Sequence, residues 1–288
     1  LDHRLGTRGW RWRWGDPCDW NPGRGYGDKE LLYRSAPEVA IEELIDQSTC
    51  LSKESQSLVG ELMSIVFLDG DFIQKDEAKI SPDDRGFLLA DGVYEVTPFY
   101  NGVPFSLDRH MARLERSLAW MRINYSLDGL EEIHKQLIRV NEFQDAPTSY
   151  VYVQITRGAA PRTHYFPQED VEPTVYAFAR TWERPSPERW AQGFSAMTVP
   201  DRRWSRADIK TICLLPNVLA FQDAIEAGAD DAVLVRDGVA IEGAHMNFWG
   251  VFDGTVVTHP TTSNILPGIT REVVLALADQ AGIALEER

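Results

Sequence analysis

The sequence has few cysteines, no long apolar run and no excess of positive charge. Its three cysteines, Cys18, Cys50 and Cys213, are odd in number and far apart, which argues against a disulfide framework and favours a reducing cytoplasm. No segment reaches the roughly 18 consecutive apolar residues of a membrane-spanning helix. A net charge of −15 argues against a general nucleic-acid-binding protein, so an anionic ligand must be held by a local group of arginines.

Residues 1–62 differ in composition from the rest of the chain. Four of the nine tryptophans lie in the first 20 residues, among Gly, Pro and Arg and without a regular period. The same segment lacks the apolar core of a signal peptide. Because Met63 directly precedes the first clear strand pattern, we expect the folded protein to begin there. We interpret residues 1–62 as a poorly ordered or non-native extension.

From residue 64 onward the apolar pattern is regular. The dipeptides Asp69-Gly70 and Asn101-Gly102 lie between short β-like segments, which predicts two hairpins, 65–74 and 92–106. Apolar residues then recur at spacings of four and three, which predicts an amphipathic helix whose buried stripe is Leu107, Met111, Leu114, Leu118 and Met121. A second helix is predicted over 130–143, with an inward face of Leu130, Ile133, Leu137 and Val140.

The remaining pattern predicts an α+β chain of two domains. Strands are expected at 149–157 and 174–179, and a proline-containing charged segment, 181–192, is expected to link domain 63–180 to domain 193–288. Further elements are predicted in the second domain: helices 217–227 and 270–281 and strands 232–235, 239–241, 248–252 and 256–259.

Lys210 and Glu242 are the first candidates for chemistry. Lys210 lies just ahead of the apolar run 214–220, and apolar surroundings remove the hydration that stabilises an ammonium ion. The resulting free amine can hold an aldehyde as a Schiff base. Glu242, 32 residues after Lys210, supplies a carboxylate. A pyridoxal phosphate site requires such a group to keep the pyridine nitrogen protonated. Taken alone, Lys210 is more often a surface loop lysine, and Glu242 a solvated residue at a strand end.

Six motifs in one order carry a family resemblance. They are DRGFLLADGVYEV at 84–96, HMARLERS at 110–117, YVQITRGAAPRTHYFP at 152–167, RADIKTICLLPNVLA at 206–220, EG at 242–243 and LPGITREVV at 266–274. Together they resemble the class IV, or fold type IV, pyridoxal-phosphate-dependent aminotransferases, and among these the D-amino-acid transaminases most closely. The resemblance implies a two-domain α+β fold of type IV, shortened at its C-terminus and carrying an atypical N-terminal extension.

The resemblance also assigns the cofactor contacts. It implies that Lys210 is the Schiff-base lysine and moves the proton at the substrate Cα, that Glu242 pairs with the pyridine nitrogen, and that Asn247 is a retained cofactor contact. The family usually has small hydroxyl residues after this glutamate, whereas Ala244 and Met246 cannot supply hydroxyls. His245 is either a replacement donor or an exposed loop histidine.

The phosphate group requires several donors. Arg113 matches the phosphate-binding arginine of the family, and Ile269 and Thr270 open the last predicted helix, where backbone N–H groups bind anions. The competing interpretations are that Arg113 is an ordinary solvated helix arginine and that Thr270 is only a helix cap.

The resemblance places substrate recognition on four residues. Arg162 and His164 correspond to the Arg-x-His pair that holds the substrate carboxylate in the neighbouring subunit of a homodimer, and Tyr94 completes this contact. Tyr152 resembles a pocket-lining residue, although a core tyrosine fits its pattern equally well. We assign Arg157 a structural role only.

The leading hypothesis is a D-amino-acid transaminase that uses 2-oxo acids such as 2-oxoglutarate. The Arg162/His164 pair favours this over a branched-chain L-amino-acid transaminase or an aminodeoxychorismate lyase of the same class. A third hypothesis is an inactive, shortened chain with weakened affinity for the cofactor.

Overall fold

The computed structural model describes residues 64–288. The predictions for residues 1–62 and for a start at Met63 lie outside this range. The first part is a six-stranded antiparallel sheet in the order β2-β1-β6-β5-β3-β4. Its strands are β1 (Ile65–Leu68), β2 (Asp71–Gln74), β3 (Gly92–Tyr100), β4 (Val103–Pro104), β5 (Ser149–Thr156) and β6 (Val175–Thr181).

Both predicted hairpins are confirmed. Asp69 and Asn101 adopt left-handed backbone conformations, with φ of 49° each, and a glycine follows each of them. This is the geometry that Asp-Gly and Asn-Gly turns favour between antiparallel strands. The second strand of the second hairpin, β4, ends at Pro104 rather than at Ser106.

The helices of this part are α1 (Arg85–Leu89), α2 (Leu107–Met121) and α3 (Leu130–Val140), and a 3-10 helix, Lys75–Glu77, follows β2. Helices α2 and α3 pack against the sheet. In α2 the predicted stripe is confirmed, because Leu107, Met111, Leu114 and Leu118 are buried in the core against the sheet. The stripe predicted for α3 is wrong at one end. Ile138 is buried, whereas Val140 is 39% exposed, because the buried face follows residues 130, 134, 137 and 138 around the helix.

The second part contains two three-stranded sheets. Strands β7 (Ala196–Pro200), β8 (Asp231–Arg236) and β9 (Val239–Gly243) form one, and β10 (Trp249–Phe252), β11 (Thr255–Thr258) and β12 (Leu285–Glu287) form the other. The helices are α4 (Pro187–Gln192), α5 (Leu215–Glu226) and α6 (Ile269–Gln280). Strands β7 and β12 and helix α4 were not predicted.

Segment 181–192 contains the last residue of β6 and all of α4. Its role as a linker between two domains stays a prediction. Across the described residues, every helix is too short or too polar to cross a bilayer.

Candidate active site

A cavity of about 930 Å³ brings together most of the predicted site residues. One wall is the face of the large sheet that carries Tyr94, helix α2 contributes Arg113, and most of the remaining lining comes from the chain after β7. The predicted residues that line it are Tyr94, Arg113, Lys210, Glu242, Asn247, Ile269 and Thr270. They come from separate places in the sequence, and tertiary folding makes them neighbours.

Lys210 is positioned by backbone pairing with the start of β3. The Tyr94 N–H donates to the Lys210 carbonyl at 3.0 Å, and the Ile212 N–H donates to the Gly92 carbonyl at 3.2 Å. This short ladder places the Lys210 Nζ 4.2 Å from the centre of the Tyr94 ring. Lys210 is partly buried and lines the cavity, so it is not a surface loop lysine.

Glu242 is a buried carboxylate at the end of β9. It is 5% exposed, and it accepts hydrogen bonds from Arg203, from Asn247 Nδ2 at 3.2 Å and from the Leu266 N–H at 3.2 Å. Burial raises the pKa of Glu242, and the Arg203 guanidinium and the Leu266 N–H offset only part of that rise. The cost of burying the ionised carboxylate is therefore only partly offset, and a cation in contact with it would stabilise the ionised form.

Arg203 is a site residue that the sequence did not reveal. Its Nε and Nη2 donate to the two oxygens of buried Asp201 at 3.0 Å each, while its Nη1 reaches Glu242. Burial opposes ionisation of Asp201, but the hydrogen bonds from Arg203 outweigh it and hold the pKa of Asp201 below its usual range. The Asp-Arg-Arg sequence was the available signal, yet spacing alone cannot show that Arg203 points inward while Arg202 is exposed.

Arg113 is buried between Glu95 and the turn before α6. It is 5% exposed, so the solvated alternative is wrong. Its Nε and Nη2 donate to the two oxygens of Glu95 at 2.9 and 2.6 Å, and its Nη1 donates to the Pro267 carbonyl at 3.0 Å. A guanidinium has five N–H groups, so two remain for an anion in the cavity.

Glu95 and His110 complete this cluster, and the sequence pointed to neither. His110 Nδ1 lies 3.0 Å from Glu95 Oε1. Burial alone would raise the pKa of Glu95, but hydrogen bonds from His110 and Arg113 lower it to about 2. Glu95 is thus an ionised, fully buried carboxylate that fixes the orientation of Arg113.

Helix α6 begins at the cavity without a side-chain cap. Its N-cap residue is Gly268, so the alternative that Thr270 is the cap is wrong. The N–H groups of the first turn have no partner within the helix and can bind an anion. A Cβ built on Gly268 would lie 2.0 Å from Asn247 Oδ1. Asn247 in turn donates to the Leu266 carbonyl at 2.9 Å and so connects the helix start to Glu242.

The predicted substrate residues are divided between two places. Arg162 and His164 are exposed and are absent from the residues that line this cavity. Tyr152 does not line it either. Its ring is stacked between Tyr94, at 5.5 Å, and Phe178, at 5.1 Å, and its hydroxyl donates to Gln154 Oε1 at 2.8 Å. Tyr152 therefore supports the wall that carries Tyr94.

The residues after Glu242 also border the cavity. Ala244 is buried, whereas His245 and Met246 are exposed. His245 packs edge-on against Phe221 at 5.2 Å, and its Nδ1 lies 3.8 Å from Asp231 Oδ1. His245 is therefore an exposed histidine at the edge of the cavity, and its role as a replacement donor stays a prediction.

Comparison with known proteins identifies the family. The family described as "Amino-transferase class IV" matches residues 92–288. The chain is a class IV aminotransferase. It is 38% identical over 227 residues to the D-alanine aminotransferase of Staphylococcus haemolyticus, covering 78% of this chain and 79% of that one. It is 40% identical over 225 residues to the enzyme of the same name from Bacillus licheniformis, covering 77% and 78%.

Solved structures of class IV aminotransferases share the fold. The branched-chain amino acid aminotransferase of Escherichia coli superimposes with a TM-score of 0.70 at 26% identity, covering 78% of this chain and 77% of that one. The branched-chain aminotransferase of Thermoproteus uzoniensis, solved with norvaline, gives a TM-score of 0.69 at 26% identity, covering 78% and 77%. The predicted family resemblance and fold class are confirmed.

Class IV aminotransferases use pyridoxal 5′-phosphate, and the donor groups of the cavity fit this cofactor. Arg113 and the N-terminus of α6 would provide N–H groups for a phosphate. Glu242 would provide a buried carboxylate for a pyridine nitrogen, and Lys210 would provide an amine for an aldehyde. Gly268 is also required for this arrangement, because any side chain there would displace Asn247.

Proposed function

We propose that this class IV aminotransferase transfers the amino group of a D-amino acid, such as D-alanine, to a 2-oxo acid such as 2-oxoglutarate. The observation that carries the proposal is the convergence of Lys210, Glu242 and Arg113 on one cavity. The two similar D-alanine aminotransferases support the choice of substrate. Bound pyridoxal phosphate would supply an aldehyde for the amine and an electron-withdrawing ring.

Lys210 holds the cofactor by its Nζ and moves the proton at the substrate Cα. Proton transfer requires an amine close to the reacting carbon. The backbone hydrogen bonds to β3 fix the position of the Lys210 main chain, from which the side chain extends. The adjacent Tyr94 ring, 4.2 Å from the Nζ, limits the directions in which the amine can move.

Glu242 keeps the pyridine nitrogen protonated. A carboxylate that burial already penalises gains strongly from a cation in contact with it. Asn247 orients this carboxylate, while Arg113, Ile269 and Thr270 would hold the phosphate group.

Arg162 and His164 bind the substrate carboxylate in the site of a second copy, which makes the working enzyme a homodimer. Both side chains are exposed on the loop after β5 and lie away from the cavity of their own chain. A planar guanidinium can bind a carboxylate through two parallel hydrogen bonds, which fixes its orientation. Tyr94 borders the same substrate, and Tyr152 supports Tyr94. We place this reaction in the cytoplasm, with no nucleic-acid or membrane partner.

The second candidate is transamination of a branched-chain L-amino acid, because the similar solved structures include branched-chain enzymes. An inactive chain is the third. The test adds pyridoxal phosphate to the purified protein and follows its visible absorbance during titration with D-alanine, L-alanine and L-leucine.

We expect D-alanine to bleach the absorbance band and the L-amino acids to leave it. Lys210→Ala should abolish the band, whereas Lys135→Ala, an exposed lysine on α3, should preserve it. Bleaching by L-leucine alone would favour the branched-chain activity, and a wild-type protein without a band would indicate an inactive chain.

A further inference from the structure

Asp91 is a buried carboxylate that binds two arginines at the start of β3. Arg85 Nε and Arg157 Nε both donate to its Oδ2 at 2.8 Å, and Arg157 Nη2 donates to its Oδ1 at 2.9 Å. Burial opposes ionisation of Asp91, but the bonds from Arg157 and Arg85 outweigh it and lower its pKa. Asp91 is therefore an ionised carboxylate, and both of its oxygens accept hydrogen bonds from the two arginines.

Arg85 extends from this cluster to the loop after β5. Its Nη1 donates to the Thr163 carbonyl at 3.0 Å, and its side chain is 3% exposed. The backbone near Arg85 holds the same loop, since the Arg85 N–H donates to the Gly158 carbonyl at 3.0 Å and the Ala160 N–H donates to the Asp83 carbonyl at 3.2 Å. Thr163 is thus fixed through its carbonyl to a group that has almost no freedom to move.

Thr163 is the residue between Arg162 and His164. Both neighbours are exposed, whereas Thr163 itself is partly buried. The loop therefore presents two side chains to the outside from a peptide that is tethered on the inside. Arg157 secures the far end of the loop differently, because its guanidinium lies 3.8 Å from the centre of the Phe166 ring and its Nη1 and Nη2 donate to the carbonyls of Arg122 and Met121.

We propose that Arg85 is a positioning residue for substrate-carboxylate recognition, acting through the Thr163 carbonyl to fix the peptide that carries Arg162 and His164. This inference rests on the proposed function of that pair. Arginine is required because one planar guanidinium must donate to Asp91 and to a carbonyl in another direction at once. A lysine keeps the charge beside Asp91 but lacks this fixed fork.

The test compares D-alanine with D-alaninol, which has a hydroxymethyl group in place of the carboxylate. In the holoenzyme, Arg85→Lys should raise KM for D-alanine about tenfold, because a bond between a charged donor and the loop is lost, with a much smaller change in kcat. The rate with D-alaninol should not change. Hydrogen exchange of the loop amides at 162–165, measured by mass spectrometry, should become faster.

Arg139→Lys is the control. Arg139 is an exposed arginine on α3 that pairs with Glu132 and contacts neither Asp91 nor the loop after β5, so this change should not alter the preference for D-alanine over D-alaninol. If Arg85→Lys does not fold, Arg85→Gln provides a second variant with a planar donor group but no charge. Circular dichroism establishes that each variant is folded.

Two results would overturn the role of Arg85. One is an Arg85→Lys enzyme with an unchanged KM for D-alanine and unchanged hydrogen exchange of the loop amides. The other is an equal loss of activity with D-alanine and with D-alaninol. The proposed function is tested separately by Arg162→Ala and His164→Ala. If these leave the D-alanine preference intact, the loop does not bind the carboxylate. If they remove it while Arg85→Lys does not, only the role of Arg85 is wrong.

Discussion

Arg203 donates to the Glu242 carboxylate inside the cavity while the same guanidinium binds both oxygens of Asp201. Asp201 therefore holds Arg203 in place, and Arg203 opposes the effect of burial on Glu242. Arg236 and the Asn264 carbonyl extend this network on the side away from the cavity. The position and the pKa of Glu242, which we assign to the pyridine nitrogen, therefore depend on Arg203 and on the Asp201 carboxylate that holds it.

Removing Arg203 should weaken cofactor binding most at low pH. In Arg203→Met the pKa of Glu242 rises further, so the carboxyl group is ionised only at higher pH. We expect affinity for pyridoxal phosphate to fall about tenfold at neutral pH and to recover as the pH rises. Fluorescence titration at several pH values measures this. Arg202→Met alters an exposed neighbour and should match the wild type, and a pH profile unchanged in Arg203→Met would contradict the prediction.

Glu95 should contribute acid-dependent stability. Its pKa in the folded protein, about 2, lies below the ordinary value of 4.5, so its contribution is complete above pH 4.5 and is lost as the pH falls toward 2. The full effect is on the order of 3 kcal/mol. Urea unfolding at pH 7, 4.5 and about 3 should show a smaller acid-induced loss in Glu95→Gln than in the wild type. Parallel curves for the two proteins would refute the assignment.

His134 should produce a second loss of stability at a higher pH. Burial lowers its pKa to about 4 from the ordinary 6.5, against the opposing effects of the Leu130 carbonyl and of Glu95. The folded state therefore favours the neutral ring, and stability is lost as the pH falls from 6.5 to 4. Gln cannot titrate, so in His134→Gln the thermal unfolding midpoint should vary less with pH over this window than in the wild type. Glu95→Gln should not reduce this variation. An unchanged slope in His134→Gln would count against it.

Gly268 should tolerate no side chain. In Gly268→Ala the new Cβ would lie 2.0 Å from Asn247 Oδ1, so Asn247 or the start of α6 must move. We expect a loss of stability of about 1–3 kcal/mol together with weaker cofactor binding, because Asn247 also contacts Glu242. Calorimetry with and without pyridoxal phosphate measures both effects. Gly250→Ala is the control, since its Cβ meets only the exposed ring of Phe252. Equal effects in the two variants would argue against a role specific to Gly268.

Local elements followed from the sequence because their causes are local. The turns at Asp69-Gly70 and Asn101-Gly102 and the buried stripe of α2 depend on residues within a few positions of each other. Strand β7 was missed because it has no partner nearby: it forms by parallel pairing with β8, from Ala196 with Asp231 to Pro200 with Val235. A short strand of this kind depends on hydrogen bonds to a segment that is distant in the chain.

The sequence by itself determined the family, the main helices and hairpins, and the candidates Lys210, Glu242 and Arg113, because motif order and apolar period are properties of the chain. Only the tertiary structure decided which charged groups share a buried environment. It joined Glu95 and His110 to Arg113, Arg203 to Glu242, and Arg85 to the Thr163 carbonyl. The free energy of a buried charge depends on the partners that folding brings to it, and spacing along the chain does not specify those partners.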